Sequence, residues 1–77
     1  MTAGTRVRMT AAFKAAHSHK QEFAGCHEQV EEFGDCVGVV IGPVDWPDGT
    51  YGPELDVRWE PSGLKYAYKP QDLEKAP

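Results

Sequence analysis

Residues 54–60 of the chain read ELDVRWE, and apolar and charged residues alternate through the whole run. A period of two is typical of a β-strand that buries one face, because successive side chains of a strand point to opposite sides. The apolar members are Leu55, Val57 and Trp59. The run therefore predicts a strand that places these three side chains in a core.

Two further runs, one on each side of the first, also predict strands. Residues 36–41 read CVGVVI, and their β-branched composition favours a more deeply buried strand, closed by the Gly-Pro pair at 42–43. Gly38 inside this run indicates a bend or a close approach of the backbone. Residues 64–68 read LKYAY after the turn formers of 60–63, so we expect a strand that pairs back on the first.

The two ends of the chain carry weaker patterns. Residues 5–9 read TRVRM, and their alternation predicts an initial strand with Val7 and Met9 pointing inward. Residues 74–77 read EKAP, which we expect to be frayed, as short termini usually are.

The region 10–34 differs from the rest, because it is rich in Ala, Lys, Gln and Glu and its apolar residues are spaced as on helices. Phe13 and Ala16 lie three apart, and a second stripe is formed by Phe23, Cys26, Val30 and Phe33. One or two short helical turns are therefore predicted as an insert after the first strand. An acidic run favours a solvated helix face; it consists of Glu28, Glu31, Glu32 and Asp35.

Length and composition limit the kinds of function. A chain of 77 residues predicts one domain over 1–77, with only about 60% of its unfolded surface buried. The net charge of −4 argues against nucleic acid as a partner, since phosphate binding needs a basic face. No apolar run approaches the roughly 18 residues of a membrane span, and no apolar leader follows the N-terminus. We expect a cytoplasmic protein with reduced thiols and no membrane contact.

The order of these patterns resembles the SH3-like barrels of small bacterial proteins, some of them products of mobile genes, and of KOW and mind-bomb-type modules. The matching residues are Gly4, Arg6 and Val7, then Gly38 and Val40, Val57 and Trp59, Tyr68, and finally Pro70, Asp72, Leu73 and Glu74. The resemblance covers most of the chain outside 10–34. It implies a mainly β, five-stranded SH3-like barrel in which a short 3₁₀ turn near the end places Leu73 in the core.

The type II dihydrofolate reductases are enzymes of this fold group, and the chain resembles them over 4–8 and 68–73. In that family a Val-Gln-Ile-Tyr motif contacts substrate in a pore shared by four subunits. Residues 65–68 here read KYAY, so only the final Tyr matches and reductase activity is not expected. The comparison leaves homo-oligomer formation as an expectation, since association stabilises small cores.

An acidic, aromatic loop is the candidate binding site. Residues 45–53 read DWPDGTYGP and are dense in turn formers, which predicts a long hairpin loop. Peptide-binding relatives combine aromatic rings with acidic loop residues to hold Pro-rich or basic segments. The candidate ligand-binding residues are Asp45, Trp46, Asp48, Tyr51, Tyr66 and Tyr68. The alternative for Tyr66 and Tyr68, as for Trp59, is that they fill the core.

Residues that could bind metal or perform catalysis are few. His17, His19, Cys26 and His27 are of types that ligate zinc, and Cys36 follows nearby. No pair has a spacing typical of zinc sites, so the simpler interpretation is a loop of solvated histidines with cysteines buried as small apolar residues. No phosphate loop or nucleophile motif is present, and no cofactor is predicted.

The combined hypothesis is a non-enzymatic binding or adaptor module that recognises a positively charged protein or peptide. The alternative is a small oligomeric ligand-binding protein or enzyme whose site lies at the subunit interface.

Overall fold

The computed structural model of the chain describes residues 1–17, 26–44 and 53–77. These residues form one antiparallel sheet of five strands with two short helices. In chain order the elements are β1 (Arg6–Met9), α1 (Ala11–Ala16), α2 (Cys26–Phe33), β2 (Gly38–Val44), β3 (Glu54–Trp59), β4 (Lys65–Tyr68), a 3₁₀ turn (Pro70–Asp72) and β5 (Leu73–Lys75). The strand order across the sheet is β4-β3-β2-β1-β5.

The alternation of apolar and polar residues sets the inner face of the sheet, as predicted. Val7, Val57 and Trp59 are all fully buried, and Met9 is 1% exposed. Between them, residues such as Arg8 and Arg58 are exposed. The three strands predicted at 5–9, 54–60 and 64–68 are confirmed to within one residue at each end.

The strand predicted over 36–41 is displaced toward the C-terminus. β2 begins at Gly38 and runs through Gly42 and Pro43 to Val44, so the Gly-Pro pair does not end it. A register shift between Val40 and Gly42 is the reason. Such a bulge absorbs one extra residue and lets pairing with β3 resume beyond it.

Gly38 marks a close approach of two strands, as its place in the sequence indicates. It lies opposite Trp59 in the sheet, and a Cβ built on it would lie 2.5 Å from Cγ1 of Val57 and 2.8 Å from Cε3 of Trp59. Only a residue without a side chain leaves room for the indole ring against β2.

The predicted helical insert forms two helices that contribute to the core. Thr10 caps α1, because its Oγ1 accepts a hydrogen bond of 3.0 Å from the backbone N–H of Phe13. Phe13 and Phe33 are buried, whereas Ala16 is exposed and leaves the predicted stripe. The four residues of the acidic run are all exposed, as expected for a solvated face. Phe23 lies outside the described residues.

The C-terminal residues are ordered, and the prediction that 74–77 are frayed was wrong. Glu74 and Lys75 belong to β5, which pairs with β1, and the N–H of Ala76 donates to the carbonyl of Arg6 at 2.9 Å. Leu73, at the start of β5, is 4% exposed. A partner strand from the other end of the chain supplies these hydrogen bonds, which a local pattern cannot reveal.

No helix in the described segments is long and apolar enough to cross a membrane.

Candidate binding groove

A chain of two hydrogen bonds, one buried and one partly buried, links the sheet to α2. The indole Nε1–H of Trp59 donates to the hydroxyl oxygen of Tyr68 at 3.0 Å. The Tyr68 hydroxyl in turn donates to Oε1 of Gln29 at 2.6 Å. In this arrangement the indole N–H of Trp59 donates to Tyr68, and Oε1 of Gln29 accepts from Tyr68.

Aromatic rings hold this chain of hydrogen bonds in place. Phe33 stacks on Trp59 with ring centroids 5.5 Å apart and an angle of 9° between the planes. Tyr68 meets Trp59 and Phe13 edge to face, with centroids 5.6 Å and 5.8 Å away. Such contacts add to the stabilisation from buried area. The Tyr68 ring is thus fixed on two sides, which orients its hydroxyl toward Gln29.

The side chain of Gln29 ends this chain at the surface. Its Oε1 is occupied by Tyr68, so its NH₂ group is left with two donors. Within the described part of the chain, Nδ1 of His27 is the one buried side-chain nitrogen or oxygen that lacks a hydrogen-bond partner. Gln29 as a whole is half-buried. The bond from Tyr68 sets the orientation of its amide from the core.

A groove of about 380 Å³ lies at this point, between the two helices and the 3₁₀ turn. Tyr68 and Phe13 contribute aromatic surface, and Gln29 contributes its amide. The charged and remaining polar groups of the wall are His17, Glu54, Lys69, Gln71 and Asp72. The groove therefore combines two largely buried aromatic rings, an amide and two carboxylates.

His17 lies against the aromatic wall of the groove. It ends α1 and its ring centroid is 4.6 Å from that of Phe13. The position fits a packed histidine better than a metal ligand. Across the groove, Glu54 is the first residue of β3 and therefore follows directly on the segment that joins β2 to β3.

The two predicted ligand-binding tyrosines have different environments. Tyr68 is 3% exposed and belongs to the core, with its hydroxyl in the hydrogen-bond chain described above. Tyr66 is 37% exposed, and its ring centroid lies 5.7 Å from that of Phe33. The other predicted binding residues, Asp45, Trp46, Asp48 and Tyr51, lie outside the described residues.

The candidate metal ligands are not brought together within the described segments. His27 Nε2 lies 3.1 Å from Oε1 of Glu31, one helical turn away. No group of three or more His, Cys, Asp or Glu side chains that could hold an ion occurs within 1–17, 26–44 and 53–77. His19 and the side chain of Cys26 are outside the described part.

Cys36 lines a second groove of about 380 Å³, together with Arg8 and Lys14. It precedes β2 and does not begin it. Its thiol lies 3.6 Å from the carbonyl oxygen of Glu32, to which it donates. This contact ties the thiol to the end of α2.

Sequence reasoning missed Gln29, Glu54 and Asp72 as groove residues. Gln29 stands one helical turn before the buried Phe33, so its position on the inner side of α2 was readable from the i, i+4 spacing. The contributions of Glu54 and Asp72 depend on how β3 and the 3₁₀ turn are placed relative to α2, and no local sequence pattern predicts that placement.

A scan against protein-family models found no match to this chain, and searches of curated proteins and of solved structures found none either.

Proposed function

We propose that the chain is an SH3-like barrel that acts as a non-enzymatic binding module and holds a positively charged peptide segment of a partner protein in the groove beside Gln29. The observation that carries the proposal is the Gln29 amide, which Tyr68 holds in place in a groove that is also lined by two carboxylates.

The strand order supports the barrel. β5 returns to pair with β1 after a 3₁₀ turn, while β1 to β4 follow one another across the sheet. This order and the buried Leu73 agree with the pattern that the resemblance implies. In such a fold the connection after the first strand and the 3₁₀ turn lie beside one another, and here both border the groove.

The polar groups of the groove suit a peptide backbone. The Gln29 NH₂ can donate to a peptide carbonyl, and it cannot turn to present its oxygen without breaking the bond from Tyr68. A mobile amide would lose conformational entropy on binding, whereas this one is already held. A donor that is already held in place therefore contributes more to affinity than a mobile one.

The charges of the groove suit a basic side chain in the same peptide. The described lining residues include two carboxylates, Glu54 and Asp72, and one lysine, Lys69. In the sequence, the segment 45–52 directly before β3 contains two further acids, Asp45 and Asp48. A Lys or Arg side chain of the partner would meet carboxylates and, through cation–π attraction, aromatic rings.

A titration followed by NMR tests the proposal. The probes are Pro-rich peptides with flanking Arg residues and matched peptides with Glu at the Arg positions. We expect the Arg peptides to shift the side-chain NH₂ of Gln29, the indole N–H of Trp59 and the amides of Glu54 and Asp72. The Glu peptides should produce no such shifts.

Two variants make the test specific to the groove. Gln29→Ala should weaken binding of the Arg peptide about fivefold, because the lost hydrogen bond contributes roughly 1 kcal/mol to the binding free energy. Lys75→Gln, an exposed change on β5, is the control and should leave affinity unchanged. Equal shifts with both peptides, or no effect of Gln29→Ala, would contradict the proposal.

The solution mass separates this proposal from the alternative of a small-molecule site at a subunit interface. A closed tetramer that is stabilised against heat by small ligands, and that ignores the Arg peptides, would favour the alternative.

A further inference from the structure

The outer face of the sheet carries a row of three cations. Cross-strand pairing places Arg6 opposite Val39, Val39 opposite Arg58, and Arg58 opposite Lys65. We call these four residues the basic row. With about 4.8 Å between neighbouring strands, the row crosses β1 to β4 over roughly 14 Å.

The cations of the basic row are exposed and form no ion pair with any described residue. Arg58 and Lys65 stand directly opposite one another, an arrangement that destabilises a sheet. By contrast, Arg8 on the same face pairs with Glu74 across β1 and β5 at 3.1 Å. The nearest acid on this face, Asp56, lies one row away, opposite Gly42 and Ala67.

One exposed apolar side chain lies close to the basic row on the same strand. Ile41 is 42% exposed and follows Val39 by two residues on β2. Burying it in a contact would contribute free energy that the charges alone do not.

The opposite side of the molecule carries the complementary charge. α2 packs on the inner face of the sheet through Phe33 and Trp59. Its exposed glutamates, Glu28, Glu31 and Glu32, therefore point away from the sheet. With eight residues, α2 is about 12 Å long, which is close to the length of the basic row. Because row and helix lie on opposite sides, they cannot meet within one molecule.

We propose that the basic row docks the acidic face of α2 from a second copy of this chain, so that copies associate head to tail. Such a contact is heterologous, so an assembly of any length keeps one free row at one end and one free helix at the other. Association is therefore open-ended, weak and sensitive to salt, because exposed ion pairs contribute little each and are screened.

Sedimentation velocity over a concentration series tests this inference on the whole chain. At about 10 mM NaCl, where charges interact over roughly 30 Å, the mean mass should rise with protein concentration. At about 1 M NaCl, where the range falls to roughly 3 Å, it should stay at that of one chain. A mass that is independent of salt and concentration would overturn the inference.

Two double variants identify the faces. Arg58→Gln/Lys65→Gln removes most of the row, and Glu28→Gln/Glu32→Gln removes most of the acidic face. Each should remain monomeric alone at low salt. When mixed, the intact row of one and the intact helix of the other should form a 1:1 complex of twice the mass of one chain and no larger species.

Lys14→Gln/Lys75→Gln is the matched control for the row variant, since it removes two positive charges outside the row and should associate as the unaltered chain does. Circular dichroism checks that all variants are folded. Two results would overturn the proposal. One is that the two double variants form no complex on mixing. The other is that the chain stays monomeric and binds a single-stranded oligonucleotide through Arg58 and Lys65.

Discussion

The two faces of the sheet are built by the same strands and have opposite characters. On the inner face, Val57, Trp59 and Tyr68 are buried, and the two that carry polar atoms use them in hydrogen bonds. On the outer face, Arg8 pairs with Glu74, but Arg58 and Lys65 are exposed and lack an ion-pair partner among the described residues. The inner face thus forms the core, and the outer face carries cations that the fold leaves unpaired.

The largest change in the free energy of unfolding should come from a substitution on the inner face. Trp59→Ala removes a fully buried ring that stacks on Phe33 and bonds Tyr68. We expect a loss of about 3–5 kcal/mol in the free energy of unfolding, most of what a small domain has. Urea unfolding followed by circular dichroism measures it. A loss below about 1 kcal/mol would show that the indole is not a core residue.

Gly38→Ala should have the next largest effect. Its Cβ would lie 2.5 Å from Val57 and 2.8 Å from Trp59, so the strands must separate. Overpacking of this kind destabilises by about 1–3 kcal/mol.

Gly42→Ala on the same strand is the control for Gly38. A Cβ there meets nothing within 4 Å, and the change should be neutral or stabilising by up to about 1 kcal/mol. Equal destabilisation of the two variants in urea unfolding would contradict the close approach at Gly38.

Tyr68→Phe should destabilise by about 1–2 kcal/mol. It leaves the Trp59 indole N–H buried without a partner, and an unpaired buried donor carries about this penalty. Tyr66→Phe is the matched control, since Tyr66 is 37% exposed and has no place in the hydrogen-bond chain. Its unfolding free energy should change by less than about 0.5 kcal/mol. A similar loss for both would show that the Tyr68 hydroxyl is not required.

The smallest change in the free energy of unfolding should come from a substitution on the outer face, and this substitution should stabilise the fold. Lys65→Glu places an opposite charge across from Arg58, which should stabilise by about 0.2–1 kcal/mol. Lys65→Gln should increase the free energy of unfolding by a smaller amount. Both gains should disappear at about 1 M NaCl because the charges are screened. A loss of stability at low salt would show that the two cations do not repel one another.

Local alternation predicted most of the strands correctly because each pattern spans only a few residues. Leu55, Val57 and Trp59 repeat with the period of a strand, and Gly38 signalled a close approach that exists. The same reasoning failed at Pro43, which lies inside β2 because a bulge shifts the register. It also failed at Glu74 and Lys75, whose strand partner lies more than sixty residues earlier in the chain.

The candidate groove was less predictable than the fold. Tyr68 was a candidate binding residue because it is one of several aromatic residues in the second half of the chain. Its hydroxyl has a role only through its hydrogen bonds with Trp59 on β3 and Gln29 on α2. The partners Glu54 and Asp72 reach the groove from two further elements. Each residue type is visible in the sequence, but the contact between them is not.

The sequence by itself therefore determined which residues of β1 and β3 face the core, because a strand's side chains alternate whatever lies beyond its ends. It also determined that the segment before Glu54 is acidic and aromatic in composition. The tertiary structure alone decided that β5 pairs with β1, that Gln29 ends a chain of hydrogen bonds from the core, and that Arg6, Arg58 and Lys65 share one row. These depend on contacts between segments distant along the chain, and only the packing of the whole sheet fixes their register.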